Sequence, residues 1–329
     1  EIKQSNLCSE ITLPTNEERT AVCCLSSVNL EHFDYWSKDD QFIPDLITML
    51  DNVLQNFIDS VQGKGGYDKA AYSAMRERSI GLGAMGFHSY LQRNNIAFES
   101  MYASSFNNKA FSYIKDRASA TTRKLAEERG EAPDMKGSGK RNAHLLAIAP
   151  NASSSIICGG TSPSIEPIRA NVYTHKTLTG SFKVKNKYLD DLLLELVPTK
   201  KKRDEIWKDI AAHEGSVQHL DILSDSQKEI FKTAPEINQI WIIEHADMRQ
   251  NYVCQSQSVN LFFKPPHYEA DQEIHDEFLQ YVNDVHWAGA TKLKSLYYLR
   301  SDSARSTENV NIKIPRIKLD EEGCLSCEG

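Results

Sequence analysis

The stretch Asn6-Leu7-Cys8-Ser9-Glu10-Ile11 places a thiol between an amide and a carboxylate, each two residues away along the chain. In an extended segment, residues two apart project to the same side. We therefore predict a strand near Cys8–Leu13, with Asn6, Cys8 and Glu10 facing one cavity as hydrogen-bond donor, sulfur and base. A buried cysteine on an edge strand is the competing interpretation, because free cysteine usually behaves as a small hydrophobic residue.

Composition indicates an ordinary globular protein. The chain has 329 residues, of which 40% are hydrophobic and 25% are charged. That length suits one large domain or a domain with an appendage. No uncharged run is long enough to span a membrane, and no signal peptide opens the chain. A net charge of −7 argues against general nucleic-acid binding.

Seven cysteines occur along the chain. An odd number without a signal peptide does not fit a secreted disulfide framework, so we expect a reducing, cytoplasmic location. The basic run Lys200-Lys201-Lys202-Arg203 is interpreted as a solvated turn entering a helix rather than a targeting signal. The chain starts at Glu1 in strand-like sequence without an entry cap, and we expect it to be a fragment or one piece of a split protein.

Apolar periodicity predicts helices alternating with short strands, which indicates an α/β fold. The predicted helices are Leu46–Val61, Ser104–Arg129, Asp204–His213, Glu236–Met248 and Asp271–Trp287. The other predicted strands are Ala21–Leu25, Leu145–Ala149, Gly180–Val184, Ser256–Phe263 and Ser295–Leu299. From Ser301 the sequence is polar and aperiodic, which is typical of a flexible tail.

Two further motifs each leave alternatives open. If Val22–Leu25 is a strand, Cys23 and Cys24 face opposite sides, and only one of them can share a cavity with Cys8. The segment Asn151-Ala152-Ser153-Ser154-Ser155 follows a strand and a proline. It suits either an anion site built from backbone N–H groups and hydroxyls or an N-cap with spare serines.

A glycine motif and a tyrosine pair each allow a structural and a functional interpretation. Gly81-Leu82-Gly83-Ala84-Met85-Gly86 fits G-x-G-x-x-G, but charged, helix-like sequence precedes it, and we interpret it as close helix packing rather than a nicotinamide site. Adjacent tyrosines, Tyr297 and Tyr298, usually mean one buried and one exposed ring. A role for both would require stacking and one-electron chemistry.

A cysteine pair, Cys324 and Cys327, lies in the polar tail. Zinc would need two more ligands, and none of the ten histidines lies near the tail. A mobile dithiol that reduces another group is therefore favoured, and we predict no metal site in this chain.

In this order, the motifs resemble the large catalytic subunit of class I ribonucleotide reductase, closest to the aerobic, class Ia-like type of phages and bacteria. The resemblance runs from Ser5 to the end of the chain. Its motifs are Asn6–Glu10, Cys23–Ser26, Gly81–Gly83, Pro150–Ser155 with Ser164–Pro167, Gln255–Asn260, Tyr297–Arg300 and the terminal cysteine pair. It implies the C-terminal half of a ten-stranded α/β barrel, with a small α+β subdomain and a flexible C-terminal tail.

The resemblance implies a role for each residue of the first motif. Cys8 would become a thiyl radical that removes the ribose 3′-hydrogen. Glu10 would take the 3′-hydroxyl proton, and Asn6 would hold the neighbouring hydroxyl. Cys23 would be one thiol of the reducing pair, while Cys24 faces away.

The remaining roles follow in the same way. Tyr297 and Tyr298 would relay the radical from a metal-containing small subunit, and Cys324 and Cys327 would re-reduce the active-site disulfide and be recharged by thioredoxin or glutaredoxin. No cofactor would be bound by this chain. The substrate diphosphate would lie on Asn151, Ala152, Ser153, Ser154 and Ser155.

The implied organisation is a catalytic half-barrel over 1–170, the subdomain over 171–236, the last barrel elements over 237–300 and a redox tail over 301–329. The family's second reducing cysteine and its allosteric specificity site lie upstream of the motif that opens this chain. We therefore expect it to be inactive alone and to need an N-terminal half. The alternatives are a cobalamin-dependent reductase fragment, a non-catalytic scaffold piece, or a nicotinamide enzyme built on Gly81–Gly86.

Overall fold

Helices and short strands alternate through the computed structural model, which describes residues 2–177, 180–267 and 269–301. The strands are β1 (Cys24–Asn29), β2 (Ile80–Met85), β3 (Val172–Thr177), β4 (Gly180–Lys185), β5 (Leu261–Phe263) and β6 (Leu299–Ser301). The helices are α1 (Phe33–Trp36), α2 (Phe42–Val61), α3 (Asp68–Glu77), α4 (Phe87–Arg93), α5 (Met101–Arg129), α6 (Ala152–Ile157), α7 (Lys187–Leu196), α8 (Lys200–Ala212), α9 (Asp225–Ile230), α10 (Gln239–Gln250) and α11 (Gln272–Lys292).

Five parallel segments form the central array. β1 pairs with β2, and β2 bridges segment 145–148 at Leu82 and Leu146. Segment 145–148 then bridges segment 255–263 between Ile148 and Gln257. Residues 261–263 of that segment are β5, which pairs with β6. Parallel neighbours need long crossovers, and here helices α2 to α5 and α10 to α11 lie in the connections.

The glycines of β2 allow the array to close tightly. A Cβ atom on Gly83 would lie 2.5 Å from the carbonyl oxygen of Ala147, and one on Gly81 would lie 2.4 Å from Leu25 Cδ2. Both distances are shorter than van der Waals contact, so any side chain here would push the neighbouring strands apart. The interpretation of Gly81–Gly86 as close helix packing is therefore wrong. Residues 81–85 belong to the buried strand β2, whose glycines admit the adjacent segments, and Gly86 precedes α4 as its N-cap.

The main core lies between the array and helices α2 and α5. α2 buries one face at a spacing of three to four residues, and Phe33 packs edge-to-face against Trp36, Phe106 and Tyr113. At the polar edge of this core, the fully buried Asp51 binds Arg78 at 2.9 Å and Arg129 at 3.0 Å. Burial alone would raise the pKa of this carboxyl, but Arg78, followed by Arg141 at 3.4 Å, holds it below the usual range.

A second core occupies the region after residue 171. The antiparallel pair β3–β4 packs beside α7, α8 and α9. Its buried residues are Val172, Leu189, Leu193, Trp207, Ile210, Val217, Leu220, Leu223, Ile230 and Phe231. These side chains form a cluster separate from the main core, which contains residues from both sides of this region in the sequence.

Apolar periodicity predicted the long helices correctly. The five long helices are present, and the second ends at Gly130 as predicted. The α/β fold class is also confirmed. The predicted strand near Cys8–Leu13 is wrong, because residues 7–9 form a turn. The basic run at 200–203 is the exposed first turn of α8 and does not precede that helix.

The remaining strand boundaries moved or were missed. β1 begins at Cys24 rather than Ala21, and β6 begins at Leu299 rather than Ser295. β2 and β3 and helices α3, α4, α7 and α9 were not predicted. The predicted tail begins at Ser301, which is instead the last residue of β6. The rest of that tail, residues 302–329 with Cys324 and Cys327, lies outside the described residues. Among the described helices, none combines the length and apolarity needed to cross a bilayer.

Candidate active site

A closed turn presents Cys8. The Asn6 side-chain oxygen accepts the Ile11 N–H at 3.0 Å, and the Asn6 N–H donates to the Ile11 carbonyl at 3.2 Å. Ser9 adopts φ 65°, in the left-handed region that non-glycine residues seldom occupy. Cys8 therefore lies near the tip of a turn that is closed by the hydrogen bonds between Asn6 and Ile11. The predicted residues are neighbours because of this turn, not because of strand alternation.

The carboxylate of Glu10 is buried below the turn. Glu10 is 2% exposed, and its Oε2 accepts a hydrogen bond from the Ser258 hydroxyl at 3.1 Å. The same hydroxyl also lies within hydrogen-bond distance of the Cys8 carbonyl oxygen. The Ser256 N–H donates to the Glu10 carbonyl at 2.9 Å. Segment 255–263 of the array therefore positions both the turn and its carboxylate.

Cys23 lies on the same side of the array as the turn. It packs against Ile11, Leu13 and Ala147, whereas Cys24 packs against the main core. Gln255 Nε2 donates to the Cys23 sulfur at 3.4 Å. Burial raises the pKa of Cys23 to about 12, although the hydrogen bond from Gln255 acts in the opposite direction. The sulfur therefore remains a protonated thiol at neutral pH.

Two tyrosine rings connect the Cys8 turn to the surface. The Tyr297 hydroxyl lies near the Cys8 side chain, which is the largest cause of the raised Tyr297 pKa. The Tyr297 and Tyr298 ring centroids are 4.0 Å apart, with a 38° angle between the planes. Tyr298 is 48% exposed, and the Arg300 guanidinium lies 5.1 Å from its ring centroid.

The serine segment lies at the carboxyl end of the array. Asn151 adopts φ 54° ahead of α6, and its Nδ2 donates to Ser27 Oγ in β1 at 3.0 Å and to the Ala84 carbonyl in β2 at 3.3 Å. Ligands commonly bind at this edge of parallel strands. The Ser155 hydroxyl is buried and donates to the Ala152 carbonyl, so the predicted serines do not all present free hydroxyls together.

A buried carboxyl beside the tyrosines was not predicted from the sequence. Glu166 accepts a hydrogen bond from Asn260 Nδ2, and Asn260 Oδ1 accepts the Tyr298 N–H at 3.1 Å. Burial raises the Glu166 pKa to about 7, although Asn260, Arg300 and Arg169 each lower it. Glu166, Ser258 and Asn260 lie within the motifs identified from the sequence. No role was predicted for these three residues, because their contacts join segments that are distant in the sequence.

The described residues also contain one cluster with the side chains to bind a metal ion. Asp209, His213 and His219 bring their ligand atoms within 4.8 Å of one another. They lie beside the second core and are separate from the Cys8 turn. No metal site was predicted from the sequence, in which His219 is ten residues from Asp209 and shows no recognised ligand spacing with it.

Comparisons with known proteins agree on one family. A family profile described as the barrel domain of ribonucleotide reductase matches residues 1–140 and 133–299. The ribonucleoside-diphosphate reductase large subunit of Invertebrate iridescent virus 3 is 47% identical over 330 residues, covering 100% of this chain and 50% of that protein. The alpha subunit from Chlamydia pneumoniae is 30% identical, covering 95% of this chain and 33% of its own length.

A solved structure is similar over most of the described fold. The Actinobacillus ureae class Id ribonucleotide reductase alpha subunit has a TM-score of 0.80 and 40% sequence identity, covering 91% of this chain and 53% of that one. The chain thus spans about half, or less, of the length of these relatives.

Proposed function

Because this chain belongs to the ribonucleotide reductase large-subunit family, as its barrel-domain match shows, we propose that it performs the radical chemistry of ribonucleotide reduction. The predicted resemblance to class I large subunits and their barrel region is confirmed. The relatives' names specify diphosphates, and we propose ribonucleoside diphosphates as the substrates here too.

The contact path from Tyr298 through Tyr297 to Cys8 is the observation that carries this proposal. Its rings and sulfur form consecutive contacts from an exposed side chain to the tip of the turn. We propose that a small subunit containing a metal delivers an oxidising equivalent to Tyr298. Tyr298 and Tyr297 then pass it to Cys8. Import along this path favours a class I mechanism over radical generation by cobalamin within the barrel.

The proposed reaction uses the groups around the turn. The Cys8 thiyl radical takes the ribose 3′-hydrogen, and Glu10 accepts the 3′-hydroxyl proton as a general base. The 2′-hydroxyl leaves as water with a proton from one thiol. The thiol pair becomes a disulfide as it supplies two electrons and the second hydrogen to C2′, and Glu10 returns its proton to the 3′-oxygen. Cys8 then returns a hydrogen atom to C3′ and is again a radical. The net change is one ribonucleotide and two thiols converted to one deoxyribonucleotide, one disulfide and water.

Cys23 is the proposed thiol of this pair that belongs to the present chain. It must enter the reaction carrying its hydrogen, and its raised pKa fits that requirement. Its partner would come from an N-terminal half of the large subunit. Cys324 and Cys327 would then exchange with the disulfide and be reduced in turn by thioredoxin or glutaredoxin.

Substrate binding is assigned to the edge of the array beside α6. We propose that the diphosphate contacts the N–H groups of residues 151–154 and the hydroxyls of Ser153 and Ser154, and that Asn6 donates to a ribose hydroxyl. The Asn151 bonds to both β1 and β2 hold this segment at the carboxyl end of the strands. The chain itself would bind no cofactor.

A reconstitution experiment tests the proposal. The chain would be mixed with an N-terminal half, a radical-bearing small subunit, thioredoxin and a ribonucleoside diphosphate, and deoxynucleotide formation would be measured. We expect Cys8→Ser to abolish product and Cys23→Ser to abolish repeated turnover. Cys24→Ser is the matched control, because this neighbouring thiol faces the main core, and it should retain activity.

Different results would exclude the proposal in different ways. Full activity of Cys8→Ser would leave the chain a non-catalytic scaffold. Turnover with adenosylcobalamin in place of the small subunit would establish the cobalamin-dependent alternative. Steady turnover by the purified chain alone would refute the need for a second half.

A further inference from the structure

We propose that Asp209, His213 and His219 form a binding site for a divalent transition-metal ion of the zinc class. The three ligand atoms lie within 4.8 Å of one another, on the outside of the second core. No step of the proposed ribonucleotide chemistry uses these residues, so this inference is independent of that function.

The distances between the ligand atoms fit a tetrahedral ion. His213 Nδ1 lies 3.2 Å from Asp209 Oδ1, and His219 Nε2 lies 3.1 Å from Asp209 Oδ2. Ligands bound to zinc at about 2.1 Å in tetrahedral geometry are separated by about 3.4 Å. Small side-chain movements would therefore bring both nitrogens and one carboxylate oxygen onto a shared ion. Coordination through His213 Nδ1 would replace its present contact with the Asp209 carbonyl at 2.9 Å.

Local structure holds the three side chains together. Asp209 and His213 are four residues apart at the end of α8, so they lie on the same helix face. The chain then turns back, with the Gly215 N–H bonded to the Ile210 carbonyl at 2.8 Å. His219 follows buried Val217 and precedes Leu220, which fixes its position beside the helix. The two imidazole rings stack with centroids 3.7 Å apart.

The donor set selects the class of metal. Two imidazole nitrogens and a carboxylate suit zinc, nickel or copper better than magnesium or calcium, which prefer oxygen ligands. Three protein ligands leave a fourth position for water. The side chains of Asp209, His213 and His219 are 47%, 51% and 25% exposed, so a hydrated ion can reach them.

Metal binding would stabilise the turn that follows α8 in the region of the second core. The turn after α8 is hydrogen-bonded to the residue that precedes β3. The Asn171 N–H and side-chain amide both donate to the Gly215 carbonyl. An ion bound by one residue of α8, its C-cap residue and His219 would join the end of that helix to this turn. We expect local protection of residues 205–220 to increase when the metal binds.

Zinc titration followed by calorimetry tests the site. All proteins would carry Cys324→Ser and Cys327→Ser, because thiolates also bind zinc. We expect one ion per chain in this background. His219→Gln and Asp209→Asn should each weaken zinc binding by about tenfold or more, since even loss of an outer partner weakens metal sites by 10- to 100-fold. His286→Gln removes an exposed histidine from α11 and is the matched control.

Cobalt(II) absorption provides the second measurement. Nitrogen and oxygen ligands should give visible d–d bands without the intense near-ultraviolet band of a cobalt–thiolate bond. Hydrogen exchange in the presence of zinc should slow at residues 205–220 of the parent chain and not of His219→Gln. Equal zinc affinities of His219→Gln and His286→Gln, or a thiolate band, would overturn the proposal.

Discussion

Ser258 connects Glu10, the proposed base, to the turn that carries Cys8, the proposed radical. It donates to buried Glu10 and lies within reach of the Cys8 carbonyl, so one group orients both. A hydrogen bond to a charged group contributes about 1.5–3 kcal/mol. Since about 1.4 kcal/mol corresponds to a tenfold change in rate, we expect Ser258→Ala to lower kcat of the reconstituted enzyme by about 10- to 100-fold with little change in KM.

The conservative variant separates this positioning role from a general loss of structure. Ser258→Thr keeps the hydroxyl and should recover most of the rate, while Ser258→Ala should remain folded, with a melting temperature lowered by no more than a loss of about 1.5–3 kcal/mol implies. A Ser258→Ala enzyme with the parent kcat would contradict the role.

Glu166 predicts a specific pH dependence of stability. Its carboxyl pKa rises from 4.5 to about 7 in the folded chain. Between these values the folded chain retains a proton that the unfolded chain releases. The stabilisation is therefore complete below pH 4.5 and is lost as pH rises through about 7, up to a limit of about 3 kcal/mol. Glu166→Gln cannot ionise and should lack this loss.

Urea denaturation at pH 5 and pH 8 measures this effect. The free energy of unfolding of the parent should fall more between these two pH values than that of Glu166→Gln. Glu273→Gln is the control, because Glu273 is exposed in the first turn of α11. Identical pH dependence of the parent and Glu166→Gln would show that the carboxyl is already ionised at pH 5.

At the scale of elements, β2 determines how closely the array can pack. A Gly83→Ala side chain would collide with the backbone oxygen of Ala147, which cannot move without displacing segment 145–148. Overpacking of this kind typically costs about 1–3 kcal/mol. We expect that loss in chemical denaturation. Gly65→Ala is the control, since nothing lies within 4 Å of its Cβ position, and it should change stability by less than about 0.5 kcal/mol.

The array also explains which elements the sequence could predict. α2 and α5 are long and their apolar spacing is regular, so their existence follows from local pattern alone. β2 was missed because its glycines were interpreted as packing contacts between helices, whereas they accommodate strands that are distant in sequence. A measured stability for Gly83→Ala close to that of Gly65→Ala would contradict this explanation.

The sequence also predicted only the local part of the candidate site. The spacing of Asn6, Cys8 and Glu10 predicted a strand, whereas these residues lie on a turn with positive φ at Ser9, with Asn6 exposed and Glu10 buried. Ser258 lies 248 residues from Glu10, and Asn260 lies 94 residues from Glu166. Such pairs become visible only when the order of the parallel segments is known, because no local pattern couples them.

At the scale of the whole molecule, the array has two edges. Within residues 2–177, 180–267 and 269–301, β1 forms one edge and β6 the other. Unpaired strand edges favour association with another chain. We propose that the N-terminal half pairs along these edges to complete the barrel. The turn carrying Cys8 would then be enclosed, which would exclude water from a radical intermediate.

The two cores predict two separable regions of stability. Leu193 is fully buried in the second core, and Leu54 is fully buried in the main core. Replacing a buried leucine by alanine costs about 2–5 kcal/mol. We expect Leu193→Ala to lower hydrogen-exchange protection in α7 and α8 while α2 and α5 keep theirs. Leu54→Ala should lower protection in α2 and α5 first, because regions with separate cores can open separately. If Leu193→Ala lowers protection in all four helices equally, the chain unfolds as one cooperative unit, and the second core is not an independent subdomain.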